Sequence, residues 1–196
     1  MAAKVIVMEG IDGSGKDTAI NLLVKYFKSN GLKVTVLRSL SGKILGSIIR
    51  NKLQDKKSNR KQLASMFIAE LFEVEETLKK KLNSYDYIIC NRWIYSTMAY
   101  NSNSLAEMNA IMVLSATDIQ PDYIFYLDIP TDIAIERIKL RTKSKREIFE
   151  NKDKLTQVKE NYEVISNLRS IKNFIKIDGT QSPVDVSREI INKIIP

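Results

Sequence analysis

Residues 9–19 read EGIDGSGKDTA. Within them Gly10, Ile11, Asp12, Gly13, Ser14, Gly15 and Lys16 match the pattern G-x-x-x-x-G-K. The stretch follows a β-rich run, KVIVME at 4–9, and opens a helical pattern at 16–29. A phosphate-binding loop requires that context. Glycines let backbone N–H groups turn toward phosphate oxygens, and the helix N-terminus adds a positive field. Lys16 is then the side chain that reaches the β and γ phosphates of a nucleotide. The alternative is an ordinary glycine-rich turn.

Two acids in the loop need their own explanation. Asp17 stands where the motif has a Ser or Thr that holds Mg²⁺, and Thr18 follows it. A carboxylate is a good Mg²⁺ ligand, but it adds negative charge near the phosphates. Direct ligation, ligation through water, an outward-pointing Asp17 and partial substitution by Thr18 are all open. Asp12 suits tight-turn chemistry, or it faces an acceptor and binds a sugar hydroxyl or Mg²⁺.

Outward from the loop, short apolar runs alternate with helical patterns. The runs are KVIVME (4–9), KVTVLR (33–38), YDYIICN (85–91), YIFYLDI (123–129) and NFIKID (173–178). Helical segments are expected over 16–29, 42–54, 62–83, 96–118, 131–141, 152–169 and 184–195. Val, Ile, Tyr and Phe crowd the runs, as buried parallel strands require. The alternation predicts a doubly wound α/β sheet, with its site beyond the carboxyl ends of the strands. One domain is expected over 1–196, with an excursion near 141–152.

Composition narrows the chemistry. The 196 residues contain no histidine, which excludes Ser-His and Cys-His catalysis and zinc-histidine sites. What is left is Asp, Glu, Lys, Arg, hydroxyls and Mg²⁺. The single cysteine, Cys90, cannot form an internal disulfide, which fits a reducing cytoplasm. No apolar run approaches the roughly 18 residues that span a membrane, and no signal peptide is evident before the first strand. The net charge of +8 suits either nucleic acid or small polyanions. The basic residues are scattered, which favours small polyanions.

After the third run comes IICNRWIYSTMAYN, which ends at 101. Asn91, Arg92 and Trp93 fall at the strand end beside the loop. The planar fork of an arginine there matches phosphate oxygens. At this point the chain resembles the thymidylate kinases, which carry E-G-x-D-x-x-G-K-x-T and then D-R-[YFH]-x-x-S-x-x-A-Y. Asn91 to Tyr100 follow the second pattern at every interval. The family's R-E-P-G-G-T…R element resembles Arg38-Ser39-Leu40-Ser41-Gly42-Lys43 ending at Arg50. PDYIFYLDIPTDIAIERI (121–138) and IDGTQSPVDV (177–186) resemble its later blocks, so the likeness covers essentially the whole chain.

The resemblance implies a P-loop NTPase three-layer α/β fold with a five-stranded parallel sheet of order 2-3-1-4-5, flanked by helices and bearing a lid. It implies ATP and Mg²⁺ as cofactors, a deoxynucleoside monophosphate as acceptor, and a homodimer. ATP then lies on Gly10, Asp12, Gly13, Ser14, Gly15, Lys16, Asp17, Thr18 and the adenine-side Gln181. Arg38 holds the acceptor phosphate and Arg50 supports it. Arg92 clamps phosphates between donor and acceptor, and Asp12 lies near the deoxyribose and metal. Tyr100 crowds the sugar 2′ position, Phe67 stacks on the base, and Ser96 and Thr97 lie near it. Read from the residues alone, Phe67 also belongs to an apolar stripe of Leu63, Leu71, Val74, Leu78 and Leu82, which packs a core equally well. Ser96 and Thr97 equally suit helix caps.

Four departures bear on the acceptor. Leu71 replaces the arginine that reads the base's carbonyl edge. Asn91 replaces the family's aspartate, and Ser39 and Leu40 replace Glu and Pro, so carboxylates have left the phosphate site while Asp17 has joined it, which suggests a redistribution of the metal's ligands. An unpaired polar edge in a closed pocket costs about 1–3 kcal/mol, so another group or water serves it, or the preferred base differs. In the lid segment, IERIKLRTKSKREIFENKDKL carries Arg137, Lys139, Arg141, Lys143, Lys145 and Arg146. Gly13 occupies the loop position where some relatives place a catalytic arginine. Arg141, then Arg146, is therefore the expected source of transition-state charge. Glu150 resembles a lid glutamate. The expected activity is transfer of the ATP γ-phosphate to dTMP. The alternatives are another acceptor (dUMP, a modified pyrimidine deoxynucleotide or dGMP) or a non-catalytic nucleotide-binding homologue.

Overall fold

The computed structural model describes residues 2–40, 44–55, 57–141 and 151–195. The strands are β1 Lys4–Glu9, β2 Val34–Arg38, β3 Tyr87–Asn91, β4 Tyr123–Asp128 and β5 Phe174–Asp178. Every pairing is parallel and the order is β2-β3-β1-β4-β5, as expected. The helices are α1 Lys16–Ser29, α2 Leu45–Gln54, α3 Arg60–Lys81, α4 Ile94–Asn101, α5 Leu105–Leu114, α6 Thr131–Arg141, α7 Lys152–Ser166 and α8 Pro183–Ile194.

The apolar runs are continuous because the sheet is covered on both faces. Along β1, Val5 and Val7 pack into one core with Leu63, Leu71 and Leu78 of α3, Met98 of α4 and Tyr162 of α7. Ile6 and Met8 pack into the other, against Ile20, Leu23 and Phe27 of α1 and Val186 and Ile190 of α8. This alternation makes three layers from five strands. The α3 stripe is core in the monomer, with Phe67, Val74 and Leu82 half-buried against it.

Register decides where the site lies. Arg38 pairs with Asn91, and Asn91 pairs with Met8. The carboxyl ends of β2, β3 and β1 therefore sit side by side, and the loop after Glu9 rises from the same edge.

One expected helix divides in two. Residues 96–118 hold most of α4, a break at 102–104, and α5. Ser104 accepts the Glu107 backbone N–H at 3.2 Å, and the Glu107 carboxylate accepts the Asn103 N–H at 2.8 Å. This S-x-x-E exchange is a close variant of a capping box and starts a new helix there. Other boundaries shift by a few residues. Asn59 accepts from the N–H groups of Lys61 and Gln62, so α3 begins at Arg60 rather than 62. Among the described residues no helix is long and apolar enough to cross a membrane.

Candidate active site

The loop between β1 and α1 is shaped by its glycines. Gly13 has φ 81°, and a Cβ there would lie 2.5 Å from the Ala134 carbonyl oxygen of α6. Backbone, not a movable side chain, blocks the position, so this loop cannot carry an arginine there. Lys16 is buried, and its amine donates to the carbonyls of Gly10 (2.7 Å) and Ile11 (3.0 Å) and to Ser14 Oγ (3.2 Å). Burial and the neighbouring Arg92 lower its pKa to about 7, against the pull of Asp12, Glu9 and Asp17.

Beneath the loop lies a buried carboxylate that the sequence reading missed. Glu9 is fully enclosed and accepts from Trp93 N (2.8 Å), Ser96 N (3.3 Å), Tyr162 Oη (2.7 Å) and Ser96 Oγ. Burial raises its pKa, and Arg92, Ser96 and Tyr162 oppose that rise. The Ser96 hydroxyl also accepts from Arg92 at 2.9 Å. Ser96 thus ties the start of α4 to β1, while its residue still lines the cavity described below.

Arg92 directly follows β3. Its N–H donates to Met8 O at 3.1 Å, and its φ is 74°, uncommon for a side-chain-bearing residue. Strained backbone of this kind clusters at functional sites. Here it turns the guanidinium over the phosphate loop. Arg92 donates to Gly10 O at 3.0 Å, Asp12 Oδ1 at 2.5 Å and Tyr100 Oη at 3.3 Å. Tyr100 Oη donates to Asp12 Oδ2 and accepts from the Asp12 N–H, both at 3.0 Å. The guanidinium carbon sits 5.0 Å from the centre of the Tyr100 ring. Burial works against the charge of Arg92, but Tyr100, Asp12 and Glu9 outweigh it and hold the pKa well above its ordinary value.

One cavity of about 550 Å³ runs from Gly13, Lys16, Asp17 and Thr18 past Arg92 to Arg38, Phe67, Leu71, Thr97 and Tyr100. That volume suits a small-molecule site. Arg38 is exposed at the end of β2, and its guanidinium makes no hydrogen bond or ion pair among the described residues. Arg50 does not line the cavity. Its guanidinium donates to Leu40 O at 2.5 Å, so it braces the chain just after Arg38. Glu70 of α3 braces the same segment from below. Its carboxylate accepts from Ser39 Oγ at 2.7 Å and from the Leu40 N–H. Leu40 is held at φ 63° between these two contacts. Burial raises the Glu70 pKa, against the bonds from Ser39 and Leu40.

Asn101, at the end of α4, also lines the cavity. It is buried, its amide donates to Thr97 O at 3.1 Å, and its Oδ1 meets no donor among the described residues. On the other side of the loop a smaller cavity of about 170 Å³ lies between Thr18, Gly179, Gln181 and Pro183. Arg137 closes it by donating to Ser14 O (3.4 Å) and Gly179 O (3.2 Å). Gln181 donates to Glu189 at 3.3 Å. Arg141 is the last residue of α6. Arg146, Lys143, Lys145 and Glu150 lie outside the described residues, as do Ser41, Gly42 and Lys43.

The fold and this arrangement define a P-loop nucleoside monophosphate kinase: a phosphate loop shares one cavity with an arginine-ended apolar slot. The family model described as thymidylate kinase matches residues 8–190. A thymidylate kinase from Thermosipho africanus is 38% identical over 192 residues, covering 94% of each chain. One from Thermosipho melanesiensis is 34% identical, covering 97% of this chain and 96% of its own. A probable thymidylate kinase from Methanocaldococcus jannaschii is 35% identical, covering 97% and 93%. The chain belongs to the thymidylate kinase family.

Proposed function

We propose that the protein transfers the γ-phosphate of ATP to dTMP, giving ADP and dTDP. The observation that carries this reading is the single cavity, which holds the phosphate loop at one end and Arg38, Phe67 and Tyr100 at the other. Donor and acceptor phosphates meet beside Arg92. No protein base is required, because the acceptor already carries an ionised phosphate, and alignment with charge neutralisation suffices. That accords with a chain without histidine.

In this reading Lys16 leaves the loop carbonyls for the β and γ phosphates, whose charge restores its proton. Arg92 neutralises charge between the two nucleotides, held in place by Asp12 and Tyr100. Arg38 takes the acceptor phosphate, and Arg50 and Glu70 fix the segment that presents it. Gln181 and Arg137 flank the adenine side. A lid at about 141–152 within a single domain, with Arg141 or Arg146 supplying charge, completes the reading, together with a cytoplasmic homodimer. Phe72 of α3 and Leu105, Val113 and Leu114 of α5 are exposed and available to such a dimer.

The residues also fit Mg²⁺. This cation usually takes one or two carboxylates plus phosphate oxygens and water, and Asp17 lines the cavity beside Lys16, while Asp12 is held by Arg92 and Tyr100. When bound it neutralises the phosphates.

For the base, Phe67, Leu71 and Val74 supply an apolar wall that suits a C5 methyl group, and Asn101 supplies an acceptor. A ring N–H next to carbonyls, as in thymine, satisfies the buried Oδ1 of Asn101. Cytosine and adenine present a bare ring nitrogen instead. Asn101 is thus the acceptor for the ring N–H, and the carbonyl edge that an arginine at 71 would meet is served by another donor or by water. Incubation with γ-labelled ATP and dTMP tests the reading: label should appear in dTDP, and label found only in inorganic phosphate would overturn it.

A further inference from the structure

Asn91 and Asp17 are 74 residues apart in sequence, and the Asn91 side-chain amide donates to Asp17 Oδ1 at 2.9 Å. Both line the large cavity beside Lys16. In phosphate-loop enzymes the residue after the lysine is a Ser or Thr whose hydroxyl meets Mg²⁺, while a strand-end aspartate supplies the carboxylate. Here the charged group stands on α1 and the neutral group stands at the end of β3. We propose that the two ligand roles are transposed: Asp17, oriented by the Asn91 amide, is the carboxylate that binds the divalent cation of the donor nucleotide. This rests on the kinase reading above and deepens it.

Three observations support the transposition. First, the two side chains are in hydrogen-bond contact, so a carboxylate at both positions would place like charges about 3 Å apart in a site already receiving phosphates. The amide replaces that repulsion with a hydrogen bond and leaves the net protein charge of the pair at minus one. Second, Asp17 is exposed in the first turn of α1, where the helix field favours an anion. Its Oδ2 has no partner among the described residues. Third, Asp12 is committed elsewhere, with one oxygen on Arg92 and the other on Tyr100. No group of three or more His, Cys, Asp or Glu able to hold a metal occurs among the described residues. The site is therefore built for a cation that brings its own phosphate and water ligands, as Mg²⁺ does.

The test reads metal binding directly. Mn²⁺ serves as a paramagnetic probe and a non-hydrolysable ATP analogue as the nucleotide, with free Mn²⁺ followed by EPR. Analogue affinity is measured in parallel in EDTA. Asp17→Asn should weaken Mn²⁺ retention by about tenfold or more, while affinity for the metal-free analogue holds or rises. Asp17→Thr should lose Mn²⁺ in the same way, and adding Asn91→Asp to it should restore retention to within about threefold. Mn²⁺ retention that survives Asp17→Asn, or a double variant no better than Asp17→Thr, overturns the inference and leaves the kinase reading intact. Wild-type protein that binds no adenine nucleotide, with or without metal, overturns both.

Discussion

Arg92 and Asp12 form an ion pair of 2.5 Å across the mouth of the phosphate loop, and both side chains are largely shielded from solvent. The pair joins the end of β3 to the loop after β1. Tyr100 closes it into a triangle through its hydroxyl. A bidentate guanidinium is needed, because Arg92 meets Gly10, Ser96, Asp12 and Tyr100 at once. Lysine keeps the charge but loses the fork. Arg92→Lys should lower kcat for dTMP phosphorylation by about 10²–10³, the usual effect of removing one preorganised charge-stabilising donor. Steady-state kinetics with circular dichroism as a folding control checks this.

Asn101 should set the base preference. Asn101→Leu removes the acceptor facing the ring N–H at similar volume. It should cut kcat/KM for dTMP by about 5–150-fold, the equivalent of about 1–3 kcal/mol, and leave the KM for ATP unchanged. An equal loss with every deoxynucleotide would assign Asn101 to packing alone.

Glu70 lines the acceptor end of the cavity, and its carboxylate is taken up by Ser39 and Leu40. It acts by holding Ser39 and Leu40, and through them the placement of Arg38. Glu70→Ala should raise the KM for the acceptor by roughly tenfold, the cost of about 1–2 kcal/mol of unmade hydrogen bonding. The KM for ATP should stay near the wild-type value. A variant that moves both KM values together would place the effect in general stability.

Lys16 gives the donor site a pH signature. Its pKa is lowered to about 7 in the free protein, and bound phosphates raise it. The complex then holds more protons than the free protein above pH 7, so ATP affinity should fall as pH rises through about 7. At most the loss is tenfold per pH unit for one proton. Calorimetry at pH 8 in buffers of different ionisation enthalpy should show proton uptake on binding, and Lys16→Met should abolish it.

Cys90 lies in β3 with no exposed surface, and burial pushes its thiol up to about 12. A thiol reagent should therefore label it only as fast as the protein unfolds. Rapid labelling of the native protein would contradict the packing of β3 between two helical layers.

The strands were legible because parallel strands covered on both faces are written as unbroken apolar runs, and their alternation with helices left few topologies. The 96–118 helix was misread because apolar residues continue through 105–114, and that continuity masked the Ser104–Glu107 cap. At the site, the phosphate loop and the Arg92–Tyr100 interval were readable, since both are short-range patterns. Glu9 was not, because an acid within a strand run gives no sign of being enclosed by Trp93, Ser96 and Tyr162. Glu70 and Asn101 were equally hidden, since each acts on a partner or cavity that only the packing of α3 and α4 creates. The Asn91–Asp17 contact joins two residues from distant segments, so the sequence suggested a redistribution of ligands, and only the structure shows that the two side chains touch.

The most direct test of the central claim is ADP formation with ATP and Mg²⁺ across dTMP, dUMP, dGMP, dCMP, dAMP, UMP and no acceptor. The account predicts turnover with dTMP well above dUMP, by about 10-fold or more for one methyl group in an apolar slot, and little with dCMP, dAMP or UMP. ATP binding without any acceptor-dependent ADP, or a preference for dCMP or dAMP, would contradict it.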